Sequence, residues 1–340
     1  MKEYRIAIVG ATGMVGRTFI KVLEEFGLPV SKYKMFASAR SAGKTLTLAG
    51  RAYTVEELTE RSFDEGFDIA LFSAGAAISK VYAPIAAAHG CVVIDNSSQW
   101  RMDPEVPLVV PEVNPEALSR RSKGIIANPN CSTIQAMLPL KVLQDNYGIR
   151  RVVYSTYQAV SGAGMKGWAD LENGARAFAA GQKDYPLEKF PYPIFSNCIP
   201  HIDVFLEDGY TKEEHKMIDE THKILADDSI RITATTVRVP VFNSHSESIN
   251  IELASPFELD DVRAAMAKME GLIVYDDVAN NIYPLASVAS GHNEVYVGRI
   301  RRDTSVENGL NLWCVADNIR KGAAANAVQI AKYMIEHEMI

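Results

Sequence analysis

The chain reads as a two-domain α/β protein, and three observations predict it. Short strand-like and helix-like segments alternate through the first 130 residues, a glycine-rich turn, GATGMVG, joins the first strand to the first helix, and longer β-branched or alternating strands follow in the second half. Alternation of that kind builds a parallel sheet covered by helices, whereas long alternating strands suit a mostly antiparallel sheet.

The elements follow in order. YRIAIVG is a buried strand, MVGRTFIKVLEEF places Val15, Phe19, Val22 and Leu23 on one helical face, and KYKMFAS is a second strand. FDIALFSAG, the alanine-rich stretch to Ala88, and CVVIDNSS continue the alternation. ANPNCSTIQA then sets turn and N-cap residues, Asn128 to Asn130, before Ile134, Met137, Leu138 and Val142 at helical intervals, so a helix is predicted to start at Cys131. Pro139 removes one backbone bond, and a kink after Leu138 is expected. RVVYSTYQAVSGAG, SIRITATTVRVPVFNS, SESINIEL, EVYVGRIRRD and GLNLWCVAD are predicted strands, with PYPIFSNCIPHIDVF an irregular connection. DNIRKGAAANAVQIAKYMIEHEM reads as an amphipathic helix returning to the first domain. The expected domains are residues 1–130 with the helix 317–340, and 131–316.

Composition narrows the function classes. With 340 residues, 47% of them hydrophobic, the chain can bury a sizeable core. A net charge of −7 and the lack of a long Lys/Arg block argue against nucleic acid or an anionic membrane as partner. No apolar run has the length of a membrane span, and MKEYRIAIVG enters a strand without the basic and apolar regions of a signal peptide. Four cysteines without metal or redox spacing fit a reducing compartment, and the cytoplasm is expected, with no metal site.

GATGMVG, with Gly10, Gly13 and Gly16 around Thr12, Met14 and Val15, follows a strand and opens a helix. Glycines there allow a tight turn, close backbone approach to a pyrophosphate, and helix-to-strand packing, while the helix N-terminus supplies the anion site. A glycine-rich turn with no ligand has the same spelling, but the strand and helix context favours a Rossmann-like dinucleotide-binding domain. An NAD-specific site is expected to place an acid after the second strand for the ribose 2′-hydroxyl. ASARSAGK instead offers Arg40, Ser41 and Lys44 and no acid, which fits the 2′-phosphate of NADP.

A lone cysteine is ordinarily a small buried hydrophobe, and Cys91, Cys198 and Cys314 are read so. Cys131 differs because it falls at a helix start, where unpaired amides and the dipole favour a thiolate. Position alone leaves its catalytic and structural readings open.

With GATGMVG at one end, NPNCST in the middle and RVPVFNSHSESINIE later, the chain resembles the aspartate-semialdehyde dehydrogenases along essentially its whole length. The resemblance implies reductive dephosphorylation of L-aspartyl 4-phosphate with NADPH, and a dinucleotide-binding domain paired with an α+β catalytic and dimerisation domain. It further implies small-molecule substrates only, a homodimer or dimer of dimers, and a place in lysine, threonine and methionine biosynthesis. Cys131 matches the nucleophile, Gln158 the glutamine that orients substrate, and His245 the acid/base histidine. Arg238 matches the grip on the substrate carboxylate, Arg101 and Lys216 the cations for phosphate, and Glu213, chosen over Glu214, the acceptor of the substrate amino group. Ser161 and Gly162 match the loop near the nicotinamide, and Asn318 falls where the family has a polar cofactor contact. Taken singly, each could be an ordinary structural residue; the resemblance assigns the roles. In that scheme a Cys131 thioester forms and His245 takes the thiol proton, because imidazole titrates near working pH and an ordinary thiol is only a few per cent ionised. An N-acetyl-glutamyl-phosphate reductase or a silent dinucleotide-binding protein are the alternative readings.

Overall fold

The computed structural model describes residues 2–182 and 184–340. The chain divides into two units, Met1–Asn130 with Ala323–Ile340, and Cys131–Gly322.

In the first unit, β1 (Tyr4–Val9), α1 (Met14–Phe26), β2 (Val30–Ala37), β3 (Thr45–Leu48), β4 (Arg51–Glu57), β5 (Ile69–Phe72), α2 (Ala76–Ala88), β6 (Val92–Asp95) and β7 (Ile125–Ala127) follow in order. They build a seven-stranded sheet of order β3-β4-β2-β1-β5-β6-β7. Every pairing is parallel except β3 with β4. Neighbours leave β1 in opposite directions along the sheet, so its carboxyl end is a switch point, the usual place for a ligand in an open α/β sheet. The apolar stripe of α1 is real: Phe19, Val22 and Leu23 are fully buried, each side chain contributing roughly 1.5–3 kcal/mol by burial. They share a core with Ala327, Val328, Ile330, Ala331 and Met334 of the C-terminal helix, Ala325–Glu336. The β3–β4 hairpin is largely exposed and β7 is only three residues long, so neither announces itself in the sequence.

The second unit contains α3 (Cys131–Tyr147), β8 (Ile149–Gln158), α4 (Gly164–Ala179), α5 (Lys212–Leu225), β9 (Arg231–Arg238), β10 (His245–Leu253), α6 (Leu259–Met266), β11 (Leu272–Val274), β12 (Val295–Asp303) and β13 (Gly309–Ala316). Its six-stranded sheet has the order β11-β12-β13-β10-β8-β9. The three central pairings are antiparallel and the two edge pairings, β11 with β12 and β8 with β9, are parallel. Alternate residues of β10 are buried, which fits one covered face.

Helix α3 continues through Pro139 to Tyr147, and Ser132 to Leu140 are all buried, so packing on every side holds it where one missing bond would weaken an exposed helix. Two local expectations are corrected. Strand β9 stops at Arg238, short of VPVFNS, because Pro240 has no N–H for the ladder and Ser244 takes φ +74°. The last helix begins at Ala325 rather than near Asp317, after a π-turn at Arg320–Ala324. Asp317 is drawn into the second unit instead, accepting from Gly291 N–H at 2.8 Å and Asn243 Nδ2 at 2.7 Å, and that unit extends to Gly322.

Candidate active site

In the first unit the glycine loop forms one wall of a cavity of about 440 Å³, lined by Gly10, Thr12 and Gly13, by Ser38 and Ala39 after β2, and by Ser73, Ala74, Ile78 and Tyr82. Gly10 has φ +84°, and a β-carbon there would sit 2.3 Å from the Ser73 carbonyl oxygen. A β-carbon on Gly16 would meet the Gly10 carbonyl oxygen at 2.1 Å. Both positions therefore exclude side chains, Gly10 because the Ser73 backbone lies against it and Gly16 because α1 packs against the Gly10–Ala11 turn. Met14 and Val15 open α1. Ser41 is buried and accepts from Thr12 Oγ1 at 3.3 Å, whereas Arg40 is exposed and outside the cavity lining. The cavity has an acid that the sequence reading missed. Glu57, at the end of β4 and paired with Ala37, lines it. The acid-free stretch after β2 is thus not the whole of that wall, because the hairpin returns a residue from farther along the chain. Arg101, also in this unit, is buried and donates from Nε to the Asn128 carbonyl at 3.0 Å and from Nη2 to Asn96 at 3.1 Å.

The second unit gathers the remaining predicted residues. Cys131 is the first residue of α3, so its sulfur stands at the positive end of a buried helix. A β-carbon on Gly322 would come 2.8 Å from Cys131 Cβ, so the chain passes close beside the cysteine. Gln135, one turn on, donates to the carbonyls of His245 and Cys314 at 3.3 and 3.4 Å and ties α3 to β10 and β13.

Strand register does the rest. Arg238 pairs with Gln158 across β9 and β8, and His245 begins β10, which pairs with β8 from Ser246 opposite Tyr157. Arg238, Gln158 and His245 thus form a row at the sheet's end, all three on the buried face. Two residues back along each strand lies a second row, Thr236, Thr156 and Glu247, with Cys314 beside Glu247 on β13. The alternation of side chains puts this row on the same face, and all four residues are buried.

Gln158 Nε2 donates to Glu213 Oε1 at 3.0 Å and to Ser132 Oγ, the residue after the cysteine. Arg238 Nη1 donates to the Ala159 carbonyl at 2.6 Å. Burial pushes the guanidinium pKa below its ordinary value, opposed by Glu213 and Cys131. Its Nε and Gln158 Oε1 are buried without partners, two polar atoms available to a ligand. Glu214 is excluded from such a role. It closes the capping box of α5, accepting from Thr211 N–H at 2.7 Å, and its other oxygen accepts from Thr236 N–H at 3.0 Å. Glu213 instead faces Gln158 and Lys216. Lys216 donates to Asp203 at 2.7 Å and to Glu213 at 3.0 Å. Burial works against its charge, but the two carboxylates outweigh it and hold its pKa above the ordinary value.

His245 is fully buried, and the Ala159 amide N–H donates to its Nδ1 at 2.9 Å. Burial first, then the Arg238 charge, pushes its pKa down to about 3, against the pull of Glu213. A β-carbon on Gly162 would lie 2.9 Å from Arg238 Nη1 and 3.3 Å from His245 Nε2, so the glycine keeps that space open. Ser161 Oγ donates to Asn318 Oδ1 and Asn243 Oδ1, each at 3.1 Å, and Ser244 N–H also donates to Asn318. Asn318 Nδ2 is buried without a partner, so an amide donor is left for a ligand carbonyl. Ser132, Asn243 and Glu247 were missed by sequence reasoning; only Ser132, adjacent to the cysteine, carried a signal that could have found it.

A mostly parallel sheet with a glycine cradle in one unit, and in the other a mixed sheet with a helix-start cysteine in the same unit as His245, Arg238 and Gln158, is the architecture of a dinucleotide-dependent dehydrogenase. Comparison with known proteins agrees: the family described as semialdehyde dehydrogenase, NAD binding domain, matches residues 5–121, and semialdehyde dehydrogenase, dimerisation domain, matches 140–321. The aspartate-semialdehyde dehydrogenase of Aquifex aeolicus is 56% identical over 99% of both chains, and that of Legionella pneumophila is 49% identical over 98% of this chain and 96% of its own. A crystal structure of aspartate semialdehyde dehydrogenase II from Vibrio cholerae, 45% identical, superposes with a TM-score of 0.95 over 98% of this chain and 99% of that one. A second structure of the Vibrio enzyme, complexed with ASA, matches equally well. The chain belongs to the aspartate-semialdehyde dehydrogenase family.

Proposed function

We propose that this chain catalyses the reversible, NADP-dependent reductive dephosphorylation of L-aspartyl 4-phosphate to L-aspartate 4-semialdehyde and phosphate, through a thioester on Cys131. The observation that carries this reading is the cysteine at the first residue of a buried helix, in one unit with Arg238, Gln158 and His245. An acyl phosphate is a good acylating agent, and a thiolate displaces phosphate from it. Sulfur serves because the resulting thioester stays reactive toward reduction. The dinucleotide, held at the glycine loop, supplies the hydride for that reduction. The residues of the first unit fit such a group: Gly10 and Gly16 allow the tight turn and close packing of the glycine loop, which lines a cavity with Thr12, Gly13 and Ser38. Arg40 and Ser41 support a 2′-phosphate, and hence NADP.

Arg238 clamps the substrate carboxylate, since its planar fork suits bidentate pairing. Glu213 receives the amino group, Gln158 orients the acyl carbonyl, and Arg101 and Lys216 hold phosphate. The reaction belongs to lysine, threonine and methionine biosynthesis in the cytoplasm; in the structure, no helix among the described residues is long and apolar enough to cross a membrane. The partner is a second copy of the chain. Tyr157, 39% exposed, lies tilted at 45° to Trp313 with ring centroids 5.4 Å apart on the sheet face away from α3, an apolar surface suited to self-association.

An initial-rate assay of NADP reduction with L-aspartate 4-semialdehyde and phosphate tests this, with N-acetyl-glutamate semialdehyde as the competing substrate. Phosphate-dependent turnover of the first substrate, much faster than the second, is expected. Turnover of neither, or preference for the acetylated compound, overturns it.

A further inference from the structure

The irregular connection between α4 and α5 is anchored near its start by one carboxylate. Asp170, on α4, is fully buried, and its two oxygens accept the backbone N–H groups of Glu188 at 2.7 Å, Lys189 at 3.0 Å and Phe190 at 2.9 Å. Three consecutive N–H groups reach one carboxylate only when the chain wraps round it, and such charge-assisted bonds are strong ones. The same face of α4 carries Gly167 and Gly174 at helical spacing. A β-carbon on Gly167 would stand 3.1 Å from the Phe190 ring, and one on Gly174 would stand 2.5 Å from the Tyr185 hydroxyl, so the two glycines let the segment lie directly on the helix. Farther along, Ile199 and Arg238 exchange two backbone hydrogen bonds of 2.8 Å, one in each direction. That pairing covers the open edge of β9 at its last residue.

Between these two anchors the Phe190 ring reaches the guanidinium. Its centroid lies 5.9 Å from Arg238 Cζ, and the ring is seated on the apolar cluster of Val160, Leu171, Ile194 and Ile199. Arg238 Nη1 is tied to the Ala159 carbonyl at 2.6 Å, while Nε is buried without a partner. A bond at one nitrogen leaves a planar fork free to tilt, and an aromatic face against it removes that freedom while attracting the charge. We propose that Asp170 and Phe190 are positioning residues for Arg238: Asp170 fixes residues 188–190, and the Phe190 ring holds the guanidinium plane in the orientation that meets a substrate carboxylate. The inference rests on the reading that Arg238 clamps that carboxylate, and deepens it by assigning the support of the clamp. Lys216 is held by Asp203 and Glu213 instead, so the cation assigned to phosphate does not share this support.

The full-length enzyme is assayed in the aldehyde-oxidising direction, where semialdehyde and phosphate are separate substrates. Phe190→Leu keeps apolar bulk and removes the aromatic face. It is expected to raise the KM for L-aspartate 4-semialdehyde roughly three-fold to thirty-fold, the scale of a desolvated cation–π contact, and to leave the KM for phosphate nearly unchanged. Asp170→Asn removes one acceptor oxygen and turns an N–H toward the backbone donors, and is expected to shift the same KM in the same direction. In an Arg238→Lys background, which has no planar fork to orient, Phe190→Leu is expected to change the semialdehyde KM no further. No rise in the semialdehyde KM, an equal rise in both KM values, or a Phe190→Leu effect that persists in the Arg238→Lys background overturns the proposal. If Asp170→Asn fails to fold, the two KM values of Phe190→Leu decide alone. Arg238→Lys by itself reports on the underlying reading: an unchanged semialdehyde KM there refutes the carboxylate clamp, whereas a raised one with Phe190→Leu silent refutes only its support.

Discussion

Glu247 is the most anomalous residue of the second unit. It is fully buried, neither carboxyl oxygen has a hydrogen-bond partner, and desolvation raises its pKa well above the ordinary carboxylate value. In the unfolded chain the group ionises near pH 4.3, whereas in the fold it stays protonated at higher pH. The native state therefore binds more protons above that point, and stability falls as pH rises from the unfolded pKa toward the folded one. Glu247→Gln keeps the shape and removes the titration. It is expected to raise Tm at pH 8 by about 2–4 °C, the shift that roughly 1 kcal/mol gives in a domain of this size. At pH 4.5 the difference should vanish. Calorimetry at the two pH values checks this, and a lower Tm at pH 8 would show that the carboxylate is ionised and paired. In SESINIEL the alternation sets this glutamate in phase with Ile249, Ile251 and Leu253 on the apolar face, but what packs over that face, and so the absence of a partner for the carboxyl, comes only from the fold.

At the scale of elements, cofactor choice depends on how β2 and β4 end. Arg40 is exposed on the turn after β2, Ser41 is tied to Thr12, and Glu57 enters from β4. If Arg40 meets a 2′-phosphate, Arg40→Ala loses a charge-assisted contact worth about 1.5–3 kcal/mol, which is roughly ten-fold to a hundred-fold in Kd. That loss should appear for NADP and be nearly absent for NAD, measured by fluorescence titration of each. Equal weakening of both would move the 2′-phosphate site elsewhere. Sequence reading placed Arg40 and Ser41 correctly after the second strand but could not place Glu57, since contact across β2 and β4 depends on a hairpin of exposed residues. Helix α3 shows the opposite case. Its start at Cys131 was legible from the Asn-Pro-Asn turn and its course to Val142 from the helical intervals, while its burial on all sides comes only from the fold.

At the scale of the whole molecule, the glycine cradle and Cys131 belong to different units of the chain. Cofactor affinity and covalent chemistry should therefore separate. Cys131→Ser is expected to keep the NADPH Kd within about two-fold while turnover drops by several orders of magnitude, because an alkoxide is far harder to generate than a thiolate. Isothermal titration beside steady-state rates makes the comparison. Near-normal turnover would end the covalent mechanism, and a large loss of NADPH binding would mean that the two functions are coupled.

The sequence by itself determined the two-part α/β organisation, the glycine turn, the helix that starts at Cys131, and, through the order of its motifs, the family. These are local matters of periodicity, turn chemistry and capping, which act over a few residues and are written in them. Only the tertiary structure decided that Glu213 rather than Glu214 faces Gln158, that Glu57 joins the cofactor cavity, and that His245 turns Nδ1 toward an amide and leaves Nε2 buried without a partner in the protein. Each of these depends on strand register or on a partner tens of residues away. A side chain's charge state and hydrogen-bonding role are set by what folding brings beside it.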